Sequence, residues 1–241
     1  MLAGLTLTDR LGTTTVPIST SALELWEEWY GNLSPESVAN LLSQYMRQPL
    51  AIRVWLHMSS SSFRLFLKDE KTPVGSGKRR LLRSPGGETY AYHHIFVLEE
   101  SYQGKGMVAR LLKNLLDMYQ PLGITKVRLT AGLSQGGQIW PAYGFRPEGL
   151  SQWRQVGDQV RARLRRLRVP AQREREIRDY LDGDDPREIW ALRDLKAPEL
   201  AQEFPHGLGK SLLNGTRWQG ILDLGDTLAV IRLKDAFRRK L

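Results

Sequence analysis

Hydrophobic residues recur along the chain with two different periods, and the changes between them predict its elements. Apolar spacings of three and four in 22–30 and 34–48 predict two helices, the second beginning at Ser34 with Pro35 in its first turn. After Pro49 the sequence LAIRVWLHM alternates, four serines interrupt it, and FRLFLKD follows, which predicts a β-hairpin. This part of the chain is therefore expected to combine helices with antiparallel strands.

The middle of the chain has the order strand, helix, strand. Residues 89–98 (TYAYHHIFVL) are rich in aromatic and β-branched residues and predict a strand, and 124–131 (ITKVRLTA) alternate and predict another. Between them an apolar stripe with helical spacing predicts a helix. Its members are Val108, Leu111, Leu112, Leu115, Leu116 and Tyr119. This order is a βαβ unit, whereas the glycine, proline and basic residues of 71–88 predict an exposed loop.

The last third of the chain is more basic. Apolar positions from Trp153 to Leu167 mark one face of a helix over 153–169. Its other positions carry Arg154, Arg161, Arg163, Arg165, Arg166 and Arg168. Helices are also predicted for 171–182 and 186–203, and a second hairpin for 218–237, turned at Gly225-Asp226. The segment 136–145 (GGQIWPAYGF) fits either a short helix or a turn.

Composition restricts the chemistry that this chain can perform. It has 241 residues without a cysteine, which excludes disulfides, thiolate metal sites and a cysteine nucleophile, and its four scattered histidines do not predict a metal site. No window approaches 18 uncharged apolar residues and the start lacks a secretory pattern, so we expect a cytoplasmic protein without a membrane contact. The formal net charge of +9 fits nucleic acid, an acidic protein or a phosphorylated cofactor as a partner, and equally a merely basic surface.

The sequence QGKGMV at 103–108 separates the predicted strand from the predicted helix. Glycines at the start of a helix let backbone N–H groups approach an anion, and the helix dipole favours negative charge there, so this turn predicts a phosphate site. Neither Gly104-Lys105 nor Gly77-Lys78 has the glycine spacing and following Ser or Thr of a P-loop, and Ala109 breaks the dinucleotide pattern G-x-G-x-x-G. A tight turn without a ligand is the alternative.

These motifs, in this order, resemble the Gcn5-related N-acetyltransferase (GNAT) superfamily. The family signature Q/R-x-x-G-x-G/A corresponds to Gln103 and Gly106, and the preceding apolar-aromatic-valine triplet to Ile95, Phe96 and Val97. The later Gly-Phe element of the family is similar to YGF at 143–145. The resemblance covers about residues 50–147, and this chain departs from the signature at its last position, where Val108 replaces Gly or Ala.

The resemblance implies a fold and a cosubstrate. The fold is α/β (α+β), a mixed, mostly antiparallel central sheet flanked by helices, here with an added helical segment toward the C-terminus. The cosubstrate is acetyl-CoA or another acyl-CoA. Its pyrophosphate would meet the backbone amides of Gln103, Gly104, Lys105, Gly106, Met107 and Val108. Its pantetheine would pair with the backbone of Phe96 and Val97.

Acyl transfer to an amine needs a base for the amine and an acid for the thiolate. Some family members carry a histidine base four residues before the valine of the triplet, which implies His93. Because neighbouring strand residues face opposite sides, His93 and His94 cannot both line one site, and Glu99 and Glu100 are weaker candidates. The usual tyrosine acid of the family corresponds to Trp140, which cannot donate a useful proton, so Tyr143 is the candidate acid.

The expected organisation has four parts: an N-terminal helical region (1–48), the GNAT core (49–149), an inserted basic helical segment (150–215), and a C-terminal hairpin (216–241) that completes the sheet. The expected function is acyl-CoA-dependent N-acyltransfer, most simply N-acetylation, by direct transfer with general-base assistance. A non-catalytic module of the same fold that binds acyl-CoA, RNA or an acidic protein is the alternative. Arginine pairs with phosphates, so the face of 153–169 fits RNA, tRNA or an acidic protein, or is simply solvated. The sequence does not specify the amine acceptor.

Overall fold

A computed structural model describes residues 3–9, 12–18, 20–44, 50–56, 61–69, 72–132, 135–167 and 169–241. They divide into two compact units, one of Met1–Val127 with Phe237–Leu241 and one of Arg128–Ala236. The strands are β1 (Ala3–Asp9), β2 (Gly12–Ile18), β3 (Leu50–Leu56), β4 (Ser62–Asp69), β5 (Thr72–Arg83), β6 (Thr89–Leu98), β7 (Lys126–Ala131), β8 (Arg146–Pro147) and β9 (Trp218–Asp223). The helices are α1 (Thr20–Tyr30), α2 (Pro35–Ser43), α3 (Met107–Tyr119), α4 (Gly136–Ile139), α5 (Leu150–Leu164), α6 (Ala171–Asp182), α7 (Glu188–Asp194), α8 (Leu208–Leu213) and α9 (Thr227–Lys240). None of the described helices is long and apolar enough to cross a membrane.

The first unit is built on an antiparallel sheet with the strand order β3-β4-β5-β6. The hairpin β3-β4 was predicted, as were α1 and α2, and Ser34 Oγ accepts a hydrogen bond from Ser37 N at the start of α2 as the sequence indicates. The prediction of a helical region over 1–48 is wrong for its first part, because β1 and β2 form an antiparallel pair with Ala3 opposite Ile18. Runs of Thr, Val and Leu alternate there, which favours strands.

The predicted loop over 71–88 is instead mostly the interior strand β5. It pairs antiparallel with both β4 and β6, and only the five residues between Arg83 and Thr89 form the connection to β6. The glycines that suggested a loop are there because the backbone of β6 lies close, since a Cβ on Gly75 would lie 2.5 Å from the Val97 carbonyl oxygen. Pairing on both edges therefore overrides the local composition.

A buried polar cluster fixes α3 against the sheet. His93 Nε2 lies 2.9 Å from Tyr119 Oη, and both side chains are buried. Arg79 is opposite His93 on β5 and is also buried, and its Nη1 donates to the carbonyl oxygens of Lys78 and Ile95, each at 2.9 Å. Burial lowers the pKa of Arg79 to about 10 and raises the pKa of Tyr119. The hydrogen bond between His93 and Tyr119 connects α3 to β6, and Arg79 connects β5 to β6.

The second unit contains β7, β8 and β9 and the helices α4 to α8. Strand β9 lies between β7 and β8 and pairs antiparallel with β8, where Arg146 is opposite Ile221. The helices α5 and α6 were predicted, whereas the predicted helix over 186–203 is shorter, being α7 followed by a 3-10 turn at Pro198–Leu200. The core of this unit includes Trp153 and Trp218, both almost fully buried.

The predicted hairpin over 218–237 is wrong in its second half. Strand β9 forms as expected, but the residues after Asp226 form α9. Asp226 Oδ1 accepts hydrogen bonds from Leu228 N at 3.0 Å and Ala229 N at 3.3 Å, so Gly225-Asp226 is a helix cap rather than a hairpin turn. Ala229 and Leu233, four residues apart, are the buried positions of α9.

Protonation of His93 is expected to destabilise the protein at acidic pH. Burial, followed by the charges of Arg79 and His94, lowers the pKa of His93 well below its usual value. Below pH ~6.5 the unfolded chain therefore binds a proton at His93 that the folded chain does not, and the free energy of unfolding falls by up to about 1.4 kcal/mol per pH unit. We expect His93→Gln to reduce this slope when urea unfolding is measured between pH ~7.5 and ~5.

The exposed His206 provides the matched control. His206→Gln is expected to keep the wild-type slope. If His93→Gln keeps it as well, protonation of His93 is not coupled to unfolding.

Candidate functional site

The chain reverses direction between β6 and α3, and its own backbone fixes the reversal. Glu99 N donates to the Val74 carbonyl oxygen at 2.8 Å, and a 3-10 turn over Glu100–Tyr102 follows. The side-chain amide of Gln103 donates to the Leu98 carbonyl oxygen at 3.0 Å. Gln103 therefore ties the turn to the end of β6, and its side chain points back to the strand.

Two glycines in the left-handed region of φ make this turn. Gly104 has φ +74° and Gly106 has φ +76°, a conformation that costs little only for glycine. Gly106 is the N-cap of α3, and within the described residues no side chain caps this helix. The first backbone amides of α3 lack intrahelical partners, so they and the helix dipole favour an anion at this end. The turn therefore has the geometry of a phosphate site.

The surroundings of Gly104 and Gly106 differ. A Cβ on Gly104 would meet no atom within 4 Å. A Cβ on Gly106 would lie 2.6 Å from the carbonyl oxygen of Lys240 at the end of α9, and 3.3 Å from Arg110 Nη1. Arg110 is buried and donates to the Lys105 carbonyl oxygen at 3.1 Å. Gly104 thus borders open space, whereas Gly106 is also required by the packing of α9.

The other residues of the turn that are predicted to contact the cosubstrate lie next to these glycines in the chain. Lys105 Nζ lies 5.1 Å from the centre of the Tyr102 ring, so the lysine packs on the turn itself. Met107 is buried beneath the start of α3, and Val108 is half-buried. The β-branched side chain of Val108 is therefore partly accommodated by the protein. Contact of these residues with a cosubstrate stays a prediction.

A β-bulge in β6 places the residues before the turn. Lys78 is opposite Ile95 and Arg79 is opposite His93, which leaves His94 as the extra residue of β6. Arg79 donates to the Ile95 carbonyl oxygen from within the core, and its guanidinium carbon lies 5.7 Å from the centre of the Phe96 ring. Sequence reasoning missed Arg79 because it assigned this residue to a loop. Beyond the bulge the side chain of Val97 is 43% exposed.

The two histidines of β6 face opposite sides of the sheet, as the alternation predicts. His93 points into the core toward Tyr119, and His94 is exposed. The Tyr92 and His94 rings pack edge to face with their centres 4.6 Å apart. Burial, then the charges of Lys78, Arg80 and Arg79, lowers the pKa of His94. The role of His93 as a base stays a prediction, but its burial argues against it, whereas a neutral and accessible His94 suits proton acceptance.

Tyr143, the predicted acid, lies in the second unit at the end of a 3-10 turn over Trp140–Tyr143. Its side chain is buried and burial raises its pKa, so no described feature makes it an unusually strong acid. The Trp140 ring packs edge to face on Phe145. Gly144 adopts φ +82° and Phe145 is fully buried, so the YGF motif ends the turn and anchors it in the core.

The arginines of the predicted basic helix are partly used within the protein. Arg161 pairs with Asp182 at 2.6 Å and donates to the Leu181 carbonyl oxygen at 3.2 Å, at the end of α6. Arg163 donates to the Leu212 carbonyl oxygen at 2.8 Å, at the end of α8. Arg165 and Arg166 are exposed, and Arg168 lies outside the described residues. RNA or acidic-protein binding by this helix stays a prediction, and Arg161 and Arg163 have structural roles.

Within the described ranges, no cluster of three or more His, Cys, Asp or Glu side chains lies close enough to bind a metal ion.

Comparison with known proteins relates this part of the chain to one family. The model of the acetyltransferase (GNAT) family matches residues 22–138. No curated protein sequence matches the chain. Similar solved structures include Arabidopsis thaliana Naa50 in complex with the bisubstrate analogue CoA-Ac-MVNAL, at 20% identity and a TM-score of 0.31, covering 35% of this chain and 58% of that one. An acetyltransferase from Thermus thermophilus is 18% identical with a TM-score of 0.32, covering 55% of this chain and 86% of that one.

The chain thus spans less than two thirds of the length of the Arabidopsis protein. The family match includes the turn at 103–108, the bulged strand before it and helix α3 after it. Residues 22–138 of this chain are thus similar to the acetyltransferase (GNAT) family.

Proposed function

We propose that this protein is an acyl-CoA-dependent N-acyltransferase, most simply an N-acetyltransferase. The observation that carries the proposal is the turn between β6 and α3. Gly104 and Gly106 there have positive φ, and the uncapped first amides of α3 follow. This geometry suits the pyrophosphate of CoA, and it lies within the segment that matches the family.

The residues present fit such a phosphate group. Gly104 has open space where any other residue would place a Cβ, so a ligand can approach its backbone closely. Gln103 bonds the end of β6 and Arg110 bonds the Lys105 carbonyl oxygen, so the turn is held in shape from both sides. A preformed site avoids much of the entropic cost of ordering a loop on binding. Of the predicted amides, that of Gln103 already donates to the Glu100 carbonyl oxygen at 3.0 Å, so the proposed contacts are the backbone amides of 104–108. Pairing of Phe96 and Val97 with pantetheine stays part of the proposal.

A thioester supplies an acyl group that is activated toward amines. In the proposed reaction the amine nitrogen forms a bond to the thioester carbonyl carbon and the carbon–sulfur bond breaks. The amine loses one proton, and the departing thiolate gains one. We assign the first proton to His94, because its pKa is lowered and its side chain is exposed beside the bulge. The sequence predicts Tyr143 as the donor of the proton to the thiolate, and water is the alternative donor.

Substitution of Gly104 tests the phosphate site with an isosteric pair. Asn and Asp both tolerate positive φ, so Gly104→Asn and Gly104→Asp are expected to fold alike. The carboxylate of Gly104→Asp would lie beside the phosphates, and we expect it to weaken CoA binding by about tenfold or more relative to Gly104→Asn. Isothermal titration calorimetry with CoA measures the difference.

Equal affinity of the two variants for CoA would place the pyrophosphate elsewhere. Dephospho-CoA provides a further control, because it retains the pyrophosphate and should show the same difference between the variants. Gly106 is less suitable for this test, since a side chain there would also displace Lys240.

Substitution of the two histidines tests the assignment of the base. We expect His94→Gln to lower kcat/KM by about 100-fold, in the range of general-base contributions, and to remove the acidic limb of the pH profile. His93→Gln is expected to act mainly on stability, because His93 is buried against Tyr119. Both variants are measured by release of CoA thiol from acetyl-CoA with a panel of amines.

If only His93→Gln loses turnover while remaining folded, the base is His93. If the unaltered protein binds CoA but acylates no amine in the panel, the alternative function, a non-catalytic acyl-CoA-binding module, replaces the enzyme.

A further inference from the structure

The side of the sheet opposite α3 carries a group of cations that the proposed reaction does not use. We define the basic sheet face as Arg64 on β4, Lys78 and Arg80 on β5, and Tyr92 and His94 on β6. The strand register places Arg64 directly opposite Lys78, and Arg80 directly opposite Tyr92. The intervening Arg79 points the other way, into the core. The five side chains therefore share one face across three adjacent strands.

The cations of this face have no acidic partners among the residues that the structure describes. Within the part of the chain that the structure describes, no ion pair neutralises Arg64, Lys78 or Arg80. Strands β5 and β6 contain no Asp or Glu. Like charges directly opposite each other on neighbouring strands are destabilising, so the pair Arg64 and Lys78 costs stability in the isolated protein. An anionic partner would relieve this repulsion.

The face includes the assigned base, His94. Lys78 and Arg80 both contribute to the lowered pKa of His94, which indicates that their charges lie near its ring. The neighbouring Ile95 and Val97 are 46% and 43% exposed, and they add apolar surface beside the cations. A cationic surrounding also lowers the pKa of an approaching ammonium group, which favours the neutral amine that acyl transfer needs.

We propose that the basic sheet face binds the amine acceptor, and that the acceptor is a polypeptide with acidic residues close to its reactive amine. This inference rests on the proposed function for the reaction, but the binding of an acidic segment is independent of it. Carboxylates of the acceptor pair with Arg64, Lys78 and Arg80, and its amine lies toward His94.

The geometry favours an extended polypeptide over a nucleic acid strand. Lys78 and Arg80 are alternate residues of one strand, so their spacing of about 7 Å matches that of alternate side chains in an extended peptide. Single-stranded nucleic acids bind instead through aromatic faces on which bases stack. Here the Tyr92 and His94 rings pack edge to face on each other, at 63° between planes, so they do not form two parallel stacking surfaces.

Binding is tested first, without acyl-CoA, by fluorescence anisotropy. The probe is an eight-residue peptide with a free amino terminus, Asp or Glu at alternate positions and a carboxyl-terminal fluorophore, and its match has Asn and Gln at those positions. We expect the acidic peptide to bind at least about tenfold more tightly than its amide match at low salt, with the difference shrinking as salt is added. Lys78→Glu with Arg80→Glu is expected to abolish the preference.

The control is Arg165→Glu with Arg166→Glu, which changes the net charge equally on exposed residues of the other unit. At about 0.15 M salt it is expected to leave the preference within about twofold, since charges farther apart than a Debye length of about 8 Å are largely screened. Arg64→Gln provides a second, milder variant in case the double reversal does not fold. Equal losses in both double variants would reduce the effect to net charge and overturn the proposal. A single-stranded RNA octamer that binds more tightly than the acidic peptide, and depends on the same residues, would assign the face to nucleic acid instead.

Turnover is tested second, with acetyl-CoA and the same two peptides. We expect kcat/KM to favour the acidic peptide by about tenfold or more, and Lys78→Glu with Arg80→Glu to reverse this order. Turnover without a preference for the acidic peptide would overturn the acceptor proposal and leave the N-acyltransferase standing. Binding of the acidic peptide without turnover of any amine would instead remove the enzymatic function and leave the docking face.

Discussion

The reversal between β6 and α3 is the constraint on which the candidate site depends. A strand that ends at Leu98 and a helix that begins at Met107 are joined by a turn with two left-handed glycines. After that turn the first amides of α3 share a common direction along the helix axis, which isolated backbone groups in a loop do not maintain. The buried cluster of Arg79, His93 and Tyr119 secures the strand and the helix on either side of it. The two elements that flank the site are therefore both fixed to the core.

The cationic side chains of the two units differ in their partners. In the second unit Arg161 and Arg163 bond to a carboxylate and to backbone carbonyl oxygens at the ends of α6 and α8. Such arginines complete the structure, because cations are favourable at helix C-termini. In the first unit Lys78 and Arg80 have no such partners among the described residues. The arginine-rich helix is the more conspicuous feature of the sequence, but the sheet face has the less compensated charge.

Local sequence patterns correctly predicted the elements whose hydrophobic residues recur with a clear period. The remaining elements depend on contacts between residues that are distant in sequence. The stripe of α3 and the turn at 103–108 were correct, because apolar spacing and glycine chemistry are properties of the local sequence. The sequence did not predict strand β5, because its glycines are required by the close approach of the β6 backbone, and this contact cannot be read from the local sequence. The alternation of β6 showed that His93 and His94 face opposite sides, but not which side α3 covers. The sequence predicted a hairpin in place of α9, because Asp226, which caps this helix, is also typical of a hairpin turn.

The contact between Lys240 and Gly106 affects how relatives of this chain should be compared. Two independent requirements exclude a side chain at 106: the positive φ and the carbonyl oxygen 2.6 Å from the Cβ position. A descendant that had lost its cosubstrate would still retain glycine there, simply to accommodate the end of α9. Gly104 has no such neighbour. In an alignment, replacement of the glycine at position 104 would therefore be the first sign that a lineage no longer binds the ligand.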